Sequence, residues 1–543
     1  MKKILVVLLL IANTVFAQKS KQDIKTQEAL KASVTYLASD KLEGRRTGTA
    51  GEKLAYEYIV KQFKKAGLKP AGEKGTYLQA FEVNDGKILS AATNFSINGE
   101  SLKLNEEWFP LAYSANKSYE VSLSKTARFP MKASFTDLAP AFDANKNNPH
   151  FDLELYLQGL LKEAAAGDTE AMILFNSSSK DDGLKYEPKS KTAVSGIPVI
   201  YVKWPAYKKW MIDNTDDKKI NITVAAEEKK RTGHNVAGFV NNNASQTIVL
   251  GAHYDHLGYG EDKNSLYAGS APMVHNGADD NASGTAALIE LAKWAKKTEY
   301  KNYNYLFVSF SGEELGLYGS KHFVEHSGID TRNINYMVNM DMIGRLNDST
   351  HGLTVGGYGT SPSWGEIIKT DNKYFKIKTD SSGSGPSDHT SFYRKDIPVL
   401  FFFTGTHGDY HKPSDDAEKI NYDGELAVVN YVKEIIAATN SRGKLAFTKT
   451  KEPVMSKSSF KVTMGILLDY TFTGNGVLAE GVSENRPAFK AGIKPGDIIT
   501  QLGEHKVTDV QTYMGALNKF NKGESTKVKL LRGKEEMLLD ITF

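Results

Sequence analysis

At 543 residues the chain exceeds what one hydrophobic core usually serves, so about two to four domains are expected. Its 68 Lys and Arg against 64 Asp and Glu leave a net charge of +4 at pH 7, which argues against nucleic acid or another polyanion as the main partner. Cysteine is absent, which removes disulfides, thiolate metal sites, a cysteine nucleophile and a lipidated cysteine, so any metal must sit on histidine and carboxylate.

The chain begins Met1-Lys2-Lys3, continues through the apolar run Ile4 to Phe16, and reaches the small residue Ala17 before polar Gln18-Lys19-Ser20. This reads as a secretory signal peptide over residues 1–17, so the mature protein is expected to be exported, periplasmic or secreted, and soluble. Elsewhere no apolar run reaches bilayer length, so no membrane span is expected in the mature chain. Residues from about 25 to 67 carry apolar side chains at helical spacing: Leu30, Val34, Leu37, then Ala55, Tyr58, Ile59 and Phe63. The glycines of Glu43 to Gly51 interrupt that period.

From about 105 to 228 the pattern turns to short strand-like runs such as Ala171 to Phe175 and Ile197 to Val202, which predicts a small β-rich inserted domain. From about 232 to 440 apolar strands alternate with helical segments: Ile248 to Leu250, Thr285 to Lys297, Tyr305 to Phe310, Tyr318 to Glu325, Tyr336 to Met340 and Ile397 to Phe403. Such alternation predicts an α/β fold, a mixed and largely parallel sheet sandwiched by helices, with ligands at the carboxyl ends of the strands. The expected division is therefore 18–104 with 229–440 as the main domain, 105–228 as the insert, 441–459 as a polar linker and 460–543 as a small α+β domain.

Chemistry-bearing residues gather at the ends of these strands. His253 follows the first, with Asp255 two residues on and able to orient it. Asp279-Asp280 precede a helix, where two acids are also good N-terminal caps. Glu313-Glu314 follow the Tyr305 to Phe310 strand at a Ser-Gly turn, and adjacent carboxylates there are costly unless a cation or proton separates them. Asp341 ends an apolar run. His407 and His411 stand four apart, but Gly408 and Pro413 place them in a loop, and one of the two is expected to be a ligand. Imidazoles with carboxylates and no thiolate suit zinc, and a shared carboxylate can hold two ions about 3.5–4 Å apart. One of the adjacent glutamates would then bind metal while the other handles a water's proton.

The segments Gly251-Ala252-His253-Tyr254-Asp255-His256, Gly277 to Gly284, Ser311 to Gly316, Asn339 to Gly344 and Asp409 to Asp415 together resemble the M-twenty-eight metallopeptidases, the two-zinc aminopeptidases. That resemblance covers roughly residues 25–104 and 229–440. It implies two zinc ions, with His253 and Asp341 on one, Glu314 and His411 on the other, and Asp280 bridging them. Glu313 would be the general base acting on a bridging water, and Tyr410 would hydrogen-bond the tetrahedral intermediate. Asp255 and Asp415 look like partners of His253 and His411, and Asp388 resembles a recurrent family position of unclear role.

The insert resembles a protease-associated domain. Residues 460–543 resemble a bacterial PDZ domain, with Met464-Gly465-Ile466-Leu467 as its carboxylate-binding loop and Lys494 to Ile499 as a turn and strand, so a peptide C-terminus is an expected partner besides peptide substrates. The implied function is removal of N-terminal residues from peptides. A carboxypeptidase or glutaminyl cyclase on the same scaffold, or a peptide-binding protein without catalysis, are the alternatives. A carboxypeptidase would need a cation for the substrate's carboxylate, and Arg345 is the nearest in sequence.

Overall fold

The computed structural model describes residues 20–123, 132–145, 151, 153–178, 182–189, 194–213, 217–370, 372–450, 462–468, 472, 474–482, 486–508 and 510–543. The expected signal peptide lies outside them. The chain divides into two compact units, one taking in residues up to Ala80 with His234–Val454, the other Phe81–Gly233 with the C-terminal region from Gly474.

The first unit is built on a nine-stranded sheet. Its centre runs Asn304–Phe310, Thr247–His253, Ile334–Met340 and Val399–Phe403, each parallel to its neighbour. Ala226–Val240 and Gly352–Gly356 flank this centre antiparallel. The central strands are almost wholly buried and nearly continuously apolar, as strands covered on both faces must be. Chain order places the strand after Thr247–His253 on one side of it and the next on the other, so this strand is the topological switch point, where a crevice opens at the carboxyl ends.

Helices cover the sheet. Lys21–Leu37 starts where the Ser20 side chain accepts from the Asp23 amide, and Ala50–Ala66 runs from a Thr49 cap to left-handed Gly67. They bury Leu30, Val34 and Leu37, and Ala55, Ile59 and Phe63, in a shared core with the strands and the helix Gly284–Ala295. Gly284–Ala295 is buried along most of its length, which explains its apolar composition. Among the described residues no helix is long and apolar enough to cross a membrane.

The expected boundary at residue 104 falls inside the second unit. Asn94–Ile97 pairs antiparallel with Lys218–Thr223, and Phe95, Ile97 and Leu102 are buried in the insert's own core. Apolar alternation there serves a second sheet, which helical periodicity upstream conceals. The insert also holds three parallel strands, Ala133–Asp137, Ala171–Phe175 and Val199–Val202. The expected linker is ordered in its first half: Leu445 is buried, Thr448 donates its amide to Thr360 O, and Thr450 bonds Tyr393. Residues 451–459 lie outside the described residues.

The C-terminal region forms strands Ile466–Leu468, Val477–Val482, Ile498–Leu502, Ser525–Arg532 and Glu535–Thr542 with helix Val510–Leu517, around a core that includes Met464, Ile499, Leu502 and Val528. Asp497 fixes the Lys494-to-Asp497 turn by accepting from the Lys494 amide and from Arg532.

Candidate metal centre

Each central strand delivers its functional group where its hydrogen-bonding ends. His253 is the last residue of Thr247–His253, Glu313 and Glu314 follow Asn304–Phe310, Asp341 follows Ile334–Met340, and His411 lies in the loop beyond Val399–Phe403. Asp279 and Asp280 sit in a tight turn ahead of helix Gly284–Ala295. Gly277 opens that turn at φ +57, where a Cβ would meet Asp280 O at 2.2 Å and the His256 ring at 2.5 Å, so only glycine fits. Asn281 ties the turn to the neighbouring strand by donating to Met340 O and accepting from the Gly284 amide.

The two oxygens of Asp280 face two different imidazoles: Oδ1 lies 3.3 Å from His253 Nε2 and Oδ2 3.3 Å from His411 Nε2. Each imidazole has a second carboxylate at the same distance, Asp341 Oδ1 for His253 and Glu314 Oε2 for His411. A single ring proton shared between two oxygens at equal, long range bonds each only weakly. Two donors about 2.0–2.1 Å from a tetrahedral zinc stand about 3.3 Å apart, so the spacing fits a pair of divalent ions sharing Asp280.

The other ring nitrogens are anchored. His411 Nδ1 donates to Asn264 O at 2.8 Å, and His253 Nδ1 lies 3.2 Å from Asp255 O and 3.6 Å from its carboxylate. Anchoring Nδ1 leaves each Nε2 lone pair for a cation. Asp255 therefore holds His253 through its carbonyl, with its carboxylate facing the same nitrogen at 3.6 Å. Asp415 does not hold His411. Its Oδ2 accepts from the amides of Asp279 and Asp280, because the loop carrying Asp415 runs under the ligand turn, and the Asn264 carbonyl takes the place beside His411.

His407, the other loop histidine, pairs with Asp279 at 3.2 Å. Asp279 is a structural brace, since its Oδ1 also accepts from the Gly344 amide and Ser283. Arg345 donates to Asp409, which neutralises the cation a carboxypeptidase would require. Tyr410 stacks on His411 with ring centroids 3.9 Å apart. Burial, followed by Asp280 and Glu314, holds its phenol well above the ordinary value, so it keeps a proton to donate.

His256 is a site residue that strand-end spacing does not single out. Its Nδ1 stands 2.7 Å from Glu314 Oε1, and with Asp280 and Glu314 it forms a cluster able to hold a metal. That separation is shorter than two zinc ligands adopt and is a charge-assisted hydrogen bond. His256 fixes Glu314 and leaves Oε2 for the ion beside His411. His253, Asp280 and Asp341 form the other cluster able to hold a metal.

Electrostatics point the same way. Burial pushes Glu313 well up, against His253 and with help from Asp341, Glu314 and Asp388. Burial also acts to raise Glu314, but His411 and the His256 hydrogen bond bring it down to about 2. Asp388 is fully buried, its oxygens lack hydrogen-bond partners, and burial lifts it to about 7. The buried cation nearby, Arg45, spends its donors on the carbonyls of Tyr254, Leu37, Asn276 and Gly277. Burial opposes protonation of His253 and His411, yet the surrounding acids raise both, as a site that calls for added positive charge does.

A parallel-sheet switch point carrying two imidazoles on one shared carboxylate defines a centre of the two-metal hydrolase class. Residues 235–436 match the model of peptidase family M28 and residues 453–543 match that of the PDZ domain. An aminopeptidase of Pseudomonas aeruginosa is 28% identical over 271 residues, 48% of this chain and 47% of that protein. Aminopeptidase YwaD of Bacillus subtilis is 28% identical over 274 residues, 48% of this chain and 55% of that protein. The chain spans about half the length of these curated relatives. Among solved structures, BSAP, a zinc aminopeptidase from Bacillus subtilis, aligns with 79% of this chain and 96% of its own at 21% identity and a TM-score of 0.44.

Proposed function

We propose that the protein is an exported aminopeptidase that removes residues from peptide N-termini at a two-zinc centre. The observation that carries this reading is the Asp280 carboxylate, shared at 3.3 Å between His253 and His411, with Glu313 adjoining the ligand Glu314. His253, Asp341 and Asp280 would hold one ion, and His411, Glu314 and Asp280 the other. Bound zinc supplies the positive charge that polarises the scissile carbonyl and acidifies water.

The chain's own residues do the rest. Glu313, with its raised proton affinity, takes the proton of the attacking water near neutral pH and returns it to the departing amine. The protonated phenol of Tyr410 donates to the oxyanion that develops on the carbonyl. Surplus acids at the centre favour a substrate bearing a free ammonium, which supports the exo mode. The loop Met464 to Leu467, with Gly465 at φ +77, is assigned to capture a peptide's terminal carboxylate by strand addition. Export rests on the amino-terminal residues 1–17.

The test is hydrolysis of free and N-acetylated aminoacyl substrates by wild type and Glu313→Gln, each with its zinc content determined. The expected result is about two zinc ions in both proteins, cleavage of free N-termini alone, and a loss of about 10³-fold in kcat for the variant. Equal cleavage of blocked substrates, or a fully active variant, would overturn the exo mode or the role of Glu313.

A further inference from the structure

Three buried residues near the amino terminus reach the metal centre from outside the family-matched region, which begins at residue 235. Arg45 donates Nε to Tyr254 O, the carbonyl between His253 and Asp255, and Nη2 to Gly277 O, the start of the turn that carries Asp280. One planar guanidinium thus sets the distance between two ligand-bearing backbones. Thr47 Oγ1 donates to Asp255 Oδ2 at 2.9 Å, while Asp255 Oδ1 accepts from the Glu313 amide and faces His253 Nδ1. Glu52 accepts from Ser311 Oγ, the His234 amide and the Tyr254 hydroxyl, and from the Gly48 amide on its other oxygen.

We propose that the Arg45–Glu52 segment is a positioning frame for the centre, in which Thr47 serves the His253 half by aiming Asp255, and through it both His253 and Glu313. The inference rests on the two-zinc reading above. None of the three side chains reaches substrate or ligates metal. Their work is to hold, in the metal-free fold, an imidazole and a carboxylate in the orientation a cation requires. Within the frame, Arg45 braces both halves, since its carbonyl also accepts from the His256 amide, whereas the Thr47 arm is one-sided. His411 is oriented by Asn264 O and Glu314 by His256, neither of which bonds Thr47 in the described contacts, so the two ions depend on different supports.

This asymmetry makes the proposal testable in the full chain. Metal-free wild type, Thr47→Val, Thr47→Ser and Arg45→Lys are titrated with zinc by calorimetry and by competition against a chromogenic chelator, and the thermal unfolding of each metal-free protein is recorded. Valine keeps the shape of threonine and removes only the hydroxyl. Thr47→Val is expected to weaken one of two zinc equivalents by about 10- to 100-fold, leave the other unchanged, and melt with the metal-free wild type. Serine restores the weakened site. Arg45→Lys keeps the charge but loses the fork, and weakens both ions because both ligand backbones are released. Two ions of wild-type affinity in Thr47→Val, or equal weakening of both with no rescue by serine, would overturn the proposal while leaving the two-zinc reading intact. A wild type that takes up no zinc would overturn both.

Discussion

Two sets of parallel strands in this protein end in acids, and only one is built for a cation. In the insert, Asp137 closes Ala133–Asp137 and accepts from the amides of Ala139 and Ser177 and from the Ser177 hydroxyl. Asp182 accepts from the Leu184 amide, Asn176 Nδ2 and the Tyr201 hydroxyl. Both acids meet uncharged donors. In the first unit, Asp280, Asp341 and Glu314 converge instead on imidazole nitrogens at 3.3 Å, with too few protons among them to satisfy the carboxylates. Topology places polar groups at strand ends in both cases; what distinguishes a metal site is an unpaid deficit of positive charge.

The sharpest way to break this comparison is to remove the shared acid. Asp280→Asn is expected to weaken zinc binding by more than about 100-fold at both ions and to abolish hydrolysis at a fixed chelator concentration. Retention of one tightly held ion would show that Asp280 does not bridge. Next in size is Tyr410→Phe, which should lower kcat about 10²-fold with zinc content and KM little changed; a change confined to KM would assign Tyr410 to binding.

Asp388 tests the charge deficit directly. Its acid is raised from 3.8 to about 7, so the folded state binds the proton more tightly than the unfolded chain. Stability of the metal-free protein should therefore fall as pH rises from about 4 to about 7, by up to about 4 kcal/mol. Urea titrations of Asp388→Asn across that window are expected to show a shallower slope, with Glu313, Asp341 and Asp415, also raised, supplying the remainder, and an unchanged slope would place the titration elsewhere. The smallest effect belongs to the insert. Asp137→Asn should cost about 1 kcal/mol in unfolding free energy and leave zinc stoichiometry untouched. Any loss of zinc would mean that the insert's strand ends are not the self-satisfied counterpart described here.

Much of this was legible in the chain alone. Strand-end positions for His253, Glu313, Glu314 and Asp341 follow from apolar runs that stop abruptly at a charge, because a buried parallel strand tolerates ionisable residues only at its mouth. Cysteine's absence, read with those residues, restricts any metal to imidazole and carboxylate. The PDZ region announces itself by its Gly-Asp turn and short alternating strands.

What the tertiary structure alone decided are the pairings between residues distant in sequence. Giving His407 to Asp279 and Asp415 to the ligand turn's amides, recruiting His256 to Glu314 and joining Thr47 to Asp255 across more than 200 positions all depend on how loops cross above the sheet. Local periodicity reports which face of an element is buried; it carries no information on which two loop atoms finish within 3 Å of each other. The insert's start at residue 81 rather than 105 escaped for a related reason, since Phe95 and Ile97 look alike whichever sheet they bury against, and only the partner strand, Lys218–Thr223, tells the two apart.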